Sequence, residues 1–292
     1  MVNKIIRPPH LVQYQGSKRL LAPSIFSYFP KKFNRFIEPF SGTAAMSIYI
    51  ANCGFKGDII INDINKQIVN LLECCIESPE ELSSIYEEIW SGQFMEGENN
   101  VDYYYKQREK FNLLKDDPNP GLTLFILARV AKGAIRYNKQ GEMNQICDRR
   151  RNGTLPKTIR KNALAISNLL QGRCHLYNRD YSEIIAMAEP GDLIYMDPPY
   201  QGVSEGISSR YIRSLDYDNF VMSLEELNRR NVDYIVSYDG HNEETKFGKD
   251  LPLHLNLKHI HLNAGRSAQG NLNGKSLTTF ESLYISNSIK EG

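Results

Sequence analysis

The sequence Asp197-Pro198-Pro199-Tyr200 carries the clearest chemistry in the chain. It follows an apolar run that predicts a buried strand, and ligands of open α/β sheets bind at the carboxyl ends of strands. The Asp197 carboxylate and the Pro198 carbonyl, which a rigid Pro-Pro turn would aim outward, could each accept one hydrogen of an aryl amino group. The Tyr200 ring would offer a flat face to a base, a contact worth about 1–3 kcal/mol. The alternative is a rigid turn that closes the strand, with the aromatic ring packed behind it.

A second stretch, residues 36–43, predicts a strand, a turn and the start of a helix, and its turn contains one glycine, Gly42. A dinucleotide site would require GxGxxG so that the backbone can approach a pyrophosphate, whereas a nucleoside without phosphates does not need it. Asp63 ends the next predicted strand, about twenty residues later, where Rossmann-like folds place the carboxylate that binds ribose hydroxyls. The alternatives are an ordinary strand–helix turn at Gly42 and a helix N-cap at Asp63.

Other polar clusters are less specific. The loop Tyr14-Gln15-Gly16-Ser17-Lys18 could present backbone amides and an ammonium group to a carboxylate, or Ser17 could simply cap a helix. His259 and His261 lie on one face of a predicted strand without further ligands nearby in sequence, so we predict no metal site. The five cysteines are odd in number and contain no CxxC pair, which argues against a disulfide framework and a zinc site.

The elements that position these residues alternate between strand and helix, which predicts βαβ units and a parallel sheet. In the first half the pattern predicts helix 20–29, strand 33–38, helix 43–52, strand 58–62 and helix 65–76. In the second half it predicts strands 174–178 and 192–196, helix 218–230, strand 233–237, and an antiparallel strand pair at 253–262 and 277–286. A loop rich in glycine and asparagine, 265–274, would join that pair.

The middle of the chain differs in its charge. Residues 73–109 contain ten acidic and two basic side chains, a local charge of −8, whereas 129–161 contain ten basic and two acidic ones, a local charge of +8. The formal net charge of +1 conceals this opposition. We interpret the acidic segment as a solvated helix face. The basic segment is broken by glycines and Pro156, and Arg149-Arg150-Arg151 cannot share one helix face, so we expect it to bind a polyanion.

Composition excludes several classes of protein. With 24% charged and 41% hydrophobic residues, the 292-residue chain can bury a core and is not disordered throughout. No apolar run approaches the roughly 18 residues that a membrane-spanning helix needs, and Pro8-Pro9 interrupts the start of the sequence too early for a signal peptide. We therefore expect a cytoplasmic protein with reduced cysteines and no membrane partner.

The order of these motifs resembles the Dam-type DNA adenine methyltransferases, the alpha group of enzymes that methylate the amino nitrogen of adenine. The resemblance rests on the Tyr14–Lys18 loop, the 36–42 turn, Asn62-Asp63, a long basic insert and Asp197-Pro198-Pro199-Tyr200, and it covers nearly the whole chain. Enzymes that act on cytosine usually carry Ser in place of this Asp, and protein glutamine methyltransferases carry Asn. The resemblance therefore favours adenine.

The resemblance also assigns residues to roles. The catalytic residues would be Asp197, Pro198, Pro199 and Tyr200. S-adenosylmethionine would be enclosed by Tyr14, Gly16, Ser17, Lys18, Glu38, Pro39, Phe40, Ser41 and Gly42, with Asp63 at its ribose and Asp180 and Tyr181 near its adenine. DNA would be bound by a hairpin with Arg136, Tyr137, Asn138 and Asn144, together with the basic run Arg149, Arg150 and Arg151.

The expected fold is an α/β Rossmann-like methyltransferase sheet with an antiparallel C-terminal strand pair. Residues 1–77 and 171–292 would form the catalytic domain, and 78–170 an inserted, mostly helical DNA-recognition subdomain. Ala131 and Ala134 stand where Dam-type enzymes carry larger residues, and the segment up to Arg151 replaces a proline-containing continuation. The resemblance consequently leaves the target sequence open.

The expected reaction flips an adenine out of duplex DNA and transfers to its amino nitrogen a methyl group from S-adenosylmethionine, without a metal. A restriction-modification system is the expected setting, and the resemblance allows a separate restriction endonuclease as partner. The alternatives are methylation of another amino group, on cytosine, RNA adenine or a protein amide, and a DNA-binding relative without turnover. Retention of both Asp63 and Asp197 argues against the last, because a binding module would need neither.

Overall fold

The computed structural model describes residues 8–133, 135–199, 215–242, 249–266 and 278–289. Tyr200, Ala134 and most of the loop 265–274 lie outside these ranges. The strands are β1 Phe36–Glu38, β2 Ile59–Asn62, β3 Cys174–Tyr177, β4 Leu193–Met196, β5 Asp233–Asn242, β6 Lys258–Arg266 and β7 Thr278–Ile285. The helices are α1 Ala22–Phe26, α2 Ala45–Asn52, α3 Lys66–Glu77, α4 Pro79–Gly92, α5 Asn100–Leu113, α6 Pro120–Arg129, α7 Pro156–Leu170, α8 Tyr181–Ala186 and α9 Tyr217–Arg229.

The strands form one seven-stranded sheet in the order β3-β2-β1-β4-β5-β7-β6. Strands β1 to β5 pair with one another in parallel, and β7 lies antiparallel between β5 and β6. Strands β1, β2 and β4 are buried along their whole length, as expected for parallel strands covered by helices on both faces. This confirms the predicted α/β sheet with its antiparallel C-terminal pair.

Four predicted elements differ from the structure by three or more residues at an end. The predicted strand 33–38 begins only at Phe36, and the predicted strand 233–237 continues to Asn242. Helix α1 ends at Phe26 and follows a short 3-10 turn at Lys18–Leu20, so the predicted helix 20–29 is too long. The predicted strand 253–262 begins late, because Leu253–Leu255 form another 3-10 turn and Asn256 adopts a left-handed conformation with φ of 52°. Apolar residues alternate with polar ones across this turn as they do in the strand, so the sequence pattern predicted a strand there.

The sheet order brings distant motifs together. After β1 the chain forms β2 and, much later, β3, before β4 returns to pair with the other side of β1. The carboxyl ends of β1 and β4 therefore lie side by side at the point where the strand order reverses, which is where open α/β sheets bind ligands. The turn after Glu38 and the sequence starting at Asp197 meet at this edge.

Helices α4 to α7 form the segment between α3 and β3, which we call the insert. The insert shares its hydrophobic core with the sheet, since Leu82, Phe125 and Ile166 belong to the same buried cluster as Ile59 and Leu71. Among the described residues, no helix has the length and apolar character that crossing a bilayer requires.

Between α6 and α7 the chain forms an irregular hairpin, the recognition hairpin (residues 130–152). Two isolated antiparallel bridges define it, Val130 with Cys147 and Tyr137 with Met143. Asn112 of α5 holds the second bridge, because its side chain accepts the Met143 N–H at 2.8 Å and donates to the Met143 carbonyl at 3.0 Å. The hairpin is thus fixed to the helical insert through its backbone.

Arg129 differs from the exposed cation that the charge count implied. Only 1% of it is exposed, and its guanidinium donates to the carbonyls of Asp148, Arg151 and Asn100. This arginine therefore fastens the 148–151 loop to α5 and α6 instead of contributing to the surface. The basic surface of the insert is one charge smaller than the sequence count suggests.

Candidate active site

A cavity of about 780 Å³ opens at the carboxyl ends of β1, β2 and β4. It brings together every predicted catalytic and cofactor-binding residue that the structure describes. These lining residues are Tyr14, Gly16, Ser17, Lys18, Glu38, Pro39, Phe40, Ser41, Gly42, Asp63, Asp180, Tyr181, Asp197, Pro198 and Pro199. Tyr200, the remaining predicted catalytic residue, lies outside the described residues.

Asp63 organises the floor of the cavity. Its carboxylate accepts the Gly42 N–H at 2.8 Å through one oxygen and the Asn65 N–H at 2.8 Å through the other. Burial raises the pKa of Asp63, and the two backbone hydrogen bonds oppose that shift. Asn65, not Asp63, is the N-cap of α3, because its side chain accepts the Gln67 N–H. The Asp63 carboxylate therefore ties the β1 turn to the β2 turn.

Gly42 has a steric reason to be glycine. Its φ is +49°, and a Cβ at this position would lie 3.1 Å from the Tyr14 ring. A side chain here would combine a strained backbone with a collision against the N-terminal loop. The close approach of Tyr14 to the turn after β1 shows that both predicted cofactor segments do form one wall.

Glu38 lies beneath that wall. Its carboxylate accepts the N–H groups of Met46 and Ser47 at 3.4 and 3.0 Å, and the Ser47 hydroxyl at 2.5 Å. The pKa of Glu38 is raised to about 7, because burial raises it more than these hydrogen bonds lower it. Glu38 therefore binds the first turn of α2 and fixes the 39–44 turn that lines the cavity.

Aromatic side chains form the opposite wall. The rings of Phe40 and Tyr181 lie 5.0 Å apart, and Phe220 of α9 packs at the edge of both. Asp180 is the N-cap of α8 and accepts the N–H and hydroxyl of Ser182. Helix α9 also reaches the cavity with Asn219 and Met222, a wall that the sequence motifs did not indicate.

Lys18 connects the N-terminal loop to the strand end. It is 6% exposed, and its Nζ lies 2.7 Å from Asp197 Oδ1 and 2.9 Å from Glu281 Oε1. The pKa of Asp197 is raised to about 6, because burial and the nearby Glu281 raise it more than Lys18 lowers it. Lys18 thus favours the ionised carboxylate in a buried position that would otherwise disfavour it.

Glu281 was not among the predicted site residues. It comes from β7, whose alternating pattern indicates only an antiparallel strand, although an acid between Phe280 and Ser282 in a mostly buried strand is a signal in itself. Its partners lie on the distant N-terminal loop and on β5, so their contacts depend on the assembled sheet.

Tyr137, one of the predicted DNA-binding residues, lies at the edge of the cavity. Its hydroxyl donates to Gln67 Oε1 at 2.6 Å and accepts from Asn65 Nδ2 at 3.1 Å, and its ring lines the same cavity as Asp63. Burial raises the pKa of Tyr137 to about 12. The tyrosine therefore joins the recognition hairpin to the cavity floor.

The other predicted DNA-binding residues lie on or beside the recognition hairpin. The Asn138 side chain accepts the N–H groups of Gln140 and Glu142 and donates to the Glu142 carboxylate, so it shapes the hairpin turn. Arg136 is half-buried, and Asn144 is exposed. Arg149, Arg150 and Arg151 are exposed beyond them, and Arg151 pairs with Asp148 at 2.6 Å.

The residues of the cavity have the chemistry that binding of a nucleoside requires. A carboxylate, two aromatic rings and a glycine turn suit a ribose and a base, and the described residues contain no group of three or more His, Cys, Asp or Glu side chains able to hold a metal ion. Beside these residues lies Asp197, whose carboxylate can accept a hydrogen bond from an amino group. The cavity can therefore hold a nucleoside and an amino-bearing substrate side by side.

Comparisons with known proteins agree with this geometry. The model of the D12 class N6 adenine-specific DNA methyltransferases matches residues 14–267. The Type II methyltransferase M1.LlaDCHI of Lactococcus lactis subsp. cremoris is 25% identical over 286 residues, which cover 94% of each chain. The Retron Ec67 DNA adenine methylase of Escherichia coli is 25% identical over 280 residues, 94% of this chain and 90% of its own. The DNA adenine methylase of Haemophilus influenzae is 27% identical over 191 residues, 65% of this chain and 63% of its own.

Proposed function

The chain belongs to the family of D12 class N6 adenine-specific DNA methyltransferases, and on this premise we propose that it methylates the N6 amino group of an adenine flipped out of duplex DNA, with S-adenosylmethionine as donor. The observation that carries the proposal is the position of Asp197. Its carboxylate, bound by Lys18, lies in the same cavity as Asp63 and the aromatic wall. One cavity thus provides a site for each reactant.

Asp197 and Pro198 would orient the amino group. Lys18 binds Asp197 Oδ1, so we assign the other carboxylate oxygen to one amino hydrogen and the Pro198 carbonyl to the second. Two acceptors on the same nitrogen favour a geometry in which its lone pair is exposed. Tyr200 completes this half of the proposal by stacking on the flipped base.

The other half of the cavity would hold S-adenosylmethionine, which supplies a sulfonium methyl carbon open to direct displacement. Asp63 would bind the ribose hydroxyls, and the Phe40–Tyr181 pair and Asp180 would enclose the adenine. As the amino nitrogen formed its bond to the methyl carbon, the bond from that carbon to sulfur would break and the thioether would leave. The nitrogen would then lose a proton, which the ionised Asp197 could accept. Catalysis would depend largely on holding the two reactants in line.

The helical insert would bind the DNA. Flipping an adenine costs a few kcal/mol, which phosphate contacts to the exposed arginines of the insert would offset. Arg136 and Asn144 would read base edges, and Arg149, Arg150 and Arg151 would contact the backbone. Since one relative is named a Type II methyltransferase, we propose a restriction-modification setting in which a separate endonuclease recognises the same sequence.

The test is methyl transfer from labelled cofactor to duplex DNA, with the product base identified by mass spectrometry. We expect N6-methyladenine, and we expect Asp197→Ala to lower the rate at least ~10²-fold, the usual loss when a group that stabilises the transition state is removed. Cofactor binding by the variant, measured by calorimetry, should persist. Asp117→Ala, which removes an exposed carboxylate, is the matched control. Methylated cytosine, methylated RNA, or an Asp197→Ala enzyme with near-normal turnover would contradict the proposal.

A further inference from the structure

We propose that Glu281 is a positioning residue of the methyl-transfer site, which holds the Lys18 ammonium on one oxygen of Asp197 and so directs the other oxygen to the substrate amino group. The inference rests on the function proposed above, because it assigns a role to the lysine that binds the catalytic carboxylate. Glu281 itself would not touch the reacting atoms.

The contacts place Glu281 behind the lysine. Lys18 Nζ lies 2.7 Å from Asp197 Oδ1 and 2.9 Å from Glu281 Oε1, so the ammonium is held between two carboxylates. The Ser237 hydroxyl of β5 donates to the same Glu281 oxygen at 3.1 Å. Three segments far apart in sequence, the N-terminal loop, the end of β4 and β7, therefore meet at one ammonium group.

Stability alone is a poor explanation for this arrangement. The side chains of Lys18, Asp197 and Glu281 are 6%, 19% and 11% exposed, so two carboxylates and one ammonium share a poorly hydrated site. Two carboxylates that contact the same ammonium repel each other, and this repulsion is unfavourable in a region of low dielectric constant. Such close like charges are typical of functional sites, where the charge state of a group matters more than stability.

The second carboxylate, Glu281, has a use in the proposed reaction. Asp197 must accept an amino hydrogen, and a carboxylate fully neutralised by its own lysine is a weaker acceptor. Glu281 draws the ammonium toward β7 and shares its charge, which raises the pKa of Asp197. Among the residues that the structure describes, Glu38 and Tyr195 also face Asp197, and the pKa values of both are raised by burial and, in part, by the Asp197 charge.

The experiment compares Glu281→Gln, Glu281→Asp and the wild-type enzyme in steady-state methylation of duplex DNA over a range of cofactor and DNA concentrations. We expect Glu281→Gln to lower kcat about tenfold, as misplacement of a reacting group does, to leave the KM for cofactor and DNA within about twofold, and to move the acidic limb of the pH profile to lower pH. Glu281→Asp keeps the negative charge, but its shorter side chain cannot contact Lys18 in the same way. We therefore expect kcat to fall while the acidic limb of the pH profile stays at the same pH. Glu225→Gln makes the same change in an exposed pair with His254 and should alter neither quantity.

A merely structural role predicts a different result, in which both variants lose folded protein and kcat in parallel and the limb does not move. That result would overturn the inference, as would a folded Glu281→Gln enzyme with wild-type kcat and pH profile. If Glu281→Gln does not fold, Ser237→Ala is the test, because it removes one hydrogen bond that holds Glu281 in place. This variant should lower kcat about threefold. An unchanged kcat would refute the positioning role of Glu281.

A second readout separates this inference from the proposed function. The pKa of Asp197 can be followed by NMR of ¹³C-labelled carboxylates in the protein without DNA, and Glu281→Gln should lower it. An inactive wild-type enzyme would refute the proposed function, while an unshifted Asp197 pKa in Glu281→Gln would refute the role of Glu281. Each hypothesis therefore has its own decisive measurement.

Discussion

At the scale of single residues, the charge of Asp197 is the variable that the site controls. Burial by itself disfavours the ionised carboxylate, and a protonated carboxyl group is a weaker acceptor for the amino hydrogen of the substrate. Lys18 opposes this effect from 2.7 Å, and the balance leaves the pKa of Asp197 at about 6. The carboxylate is therefore mostly ionised at pH 7, with little margin.

This balance predicts an acidic limb in the pH profile. A raised pKa means that the active, ionised form is lost as pH falls, so the single-turnover rate at saturating cofactor should decrease as the pH passes below about 6. Cofactor affinity must be measured over the same range, because Glu38, with a pKa of about 7, lies in the same cavity. A rate that is constant from pH 8 to pH 5 with bound cofactor would show that Asp197 does not need its charge.

Single residues also show where sequence reasoning ends. The placement of Gly42 in a turn and of Asp63 after a strand was predictable, because a turn glycine and a strand-end carboxylate are local signals. Asn138 and Arg129 were assigned to a basic, DNA-facing segment, yet their side chains bind the backbone of the hairpin and of its neighbours. Residue type and charge predict what a side chain can bind, whereas its actual partner depends on which backbone groups the fold leaves without one.

At the scale of elements, the recognition hairpin and the cavity floor are joined by Tyr137. The chain of contacts runs from the hairpin bridge at Met143 through the Tyr137 hydroxyl to Asn65 and on to Asp63. The N-terminal loop is tied to the same hairpin, since the Gln15 N–H donates to the Gly133 carbonyl at 2.8 Å. A Cβ at Gly133, where φ is +61°, would lie 2.4 Å from the Gln13 carbonyl oxygen. The cavity is therefore built partly by the insert.

We accordingly expect Tyr137→Phe to weaken cofactor binding more than DNA binding. Loss of a buried hydrogen bond costs about 1 kcal/mol, which corresponds to roughly a fivefold higher Kd for S-adenosylmethionine by calorimetry. Tyr104→Phe is the matched control, because the Tyr104 hydroxyl donates to the Gln145 carbonyl on the same hairpin without lining the cavity. Equal effects of both variants on the cofactor Kd would show that the link acts through general stability of the insert.

The elements of the sheet were largely predictable, and those of the insert were not. Apolar runs such as 59–61 and 193–196 are signals of buried parallel strands, and both confirmed their predictions within one or two residues. Helices α4 to α7 were expected only as a mostly helical segment, because their packing faces depend on one another and on α3. The order of the strands could not be predicted from local patterns either. Strand β3 pairs with β2, but helices α3 to α7 separate the two strands in the sequence.

At the scale of the whole molecule, charge is divided between faces of the insert. Part of the acidic segment neutralises part of the basic one, as Arg160 of α7 pairs with Glu80 of α4 at 2.7 Å. Arg129 is buried, and Arg151 shares its charge with Asp148. Of the triple-arginine run, Arg149 and Arg150 are therefore the residues best placed to bind phosphates.

Replacement of Arg149 and Arg150 by alanine should weaken DNA binding and reduce its salt dependence. Each lost phosphate contact lowers the slope of log K against log salt by about 0.9, so the double variant should lose up to ~2. Lys31→Ala with Lys32→Ala removes two adjacent exposed cations outside the insert and serves as the control. Equal slopes for the two double variants in a fluorescence anisotropy titration would show that the run does not face DNA.

The path of the chain into and out of the insert bears on how such an enzyme could acquire a new target sequence. The polypeptide leaves at the end of α3 and returns beside it, where the Ser167 hydroxyl donates to the Ile76 carbonyl at 2.6 Å. An exchange of the whole segment by recombination would therefore join ends that are already adjacent. Helices α6 and α7, however, pack on α3, so a graft that preserves folding would replace the hairpin and retain those helices. Variation in specificity should accordingly accumulate between residues 130 and 152, while the helical frame changes slowly.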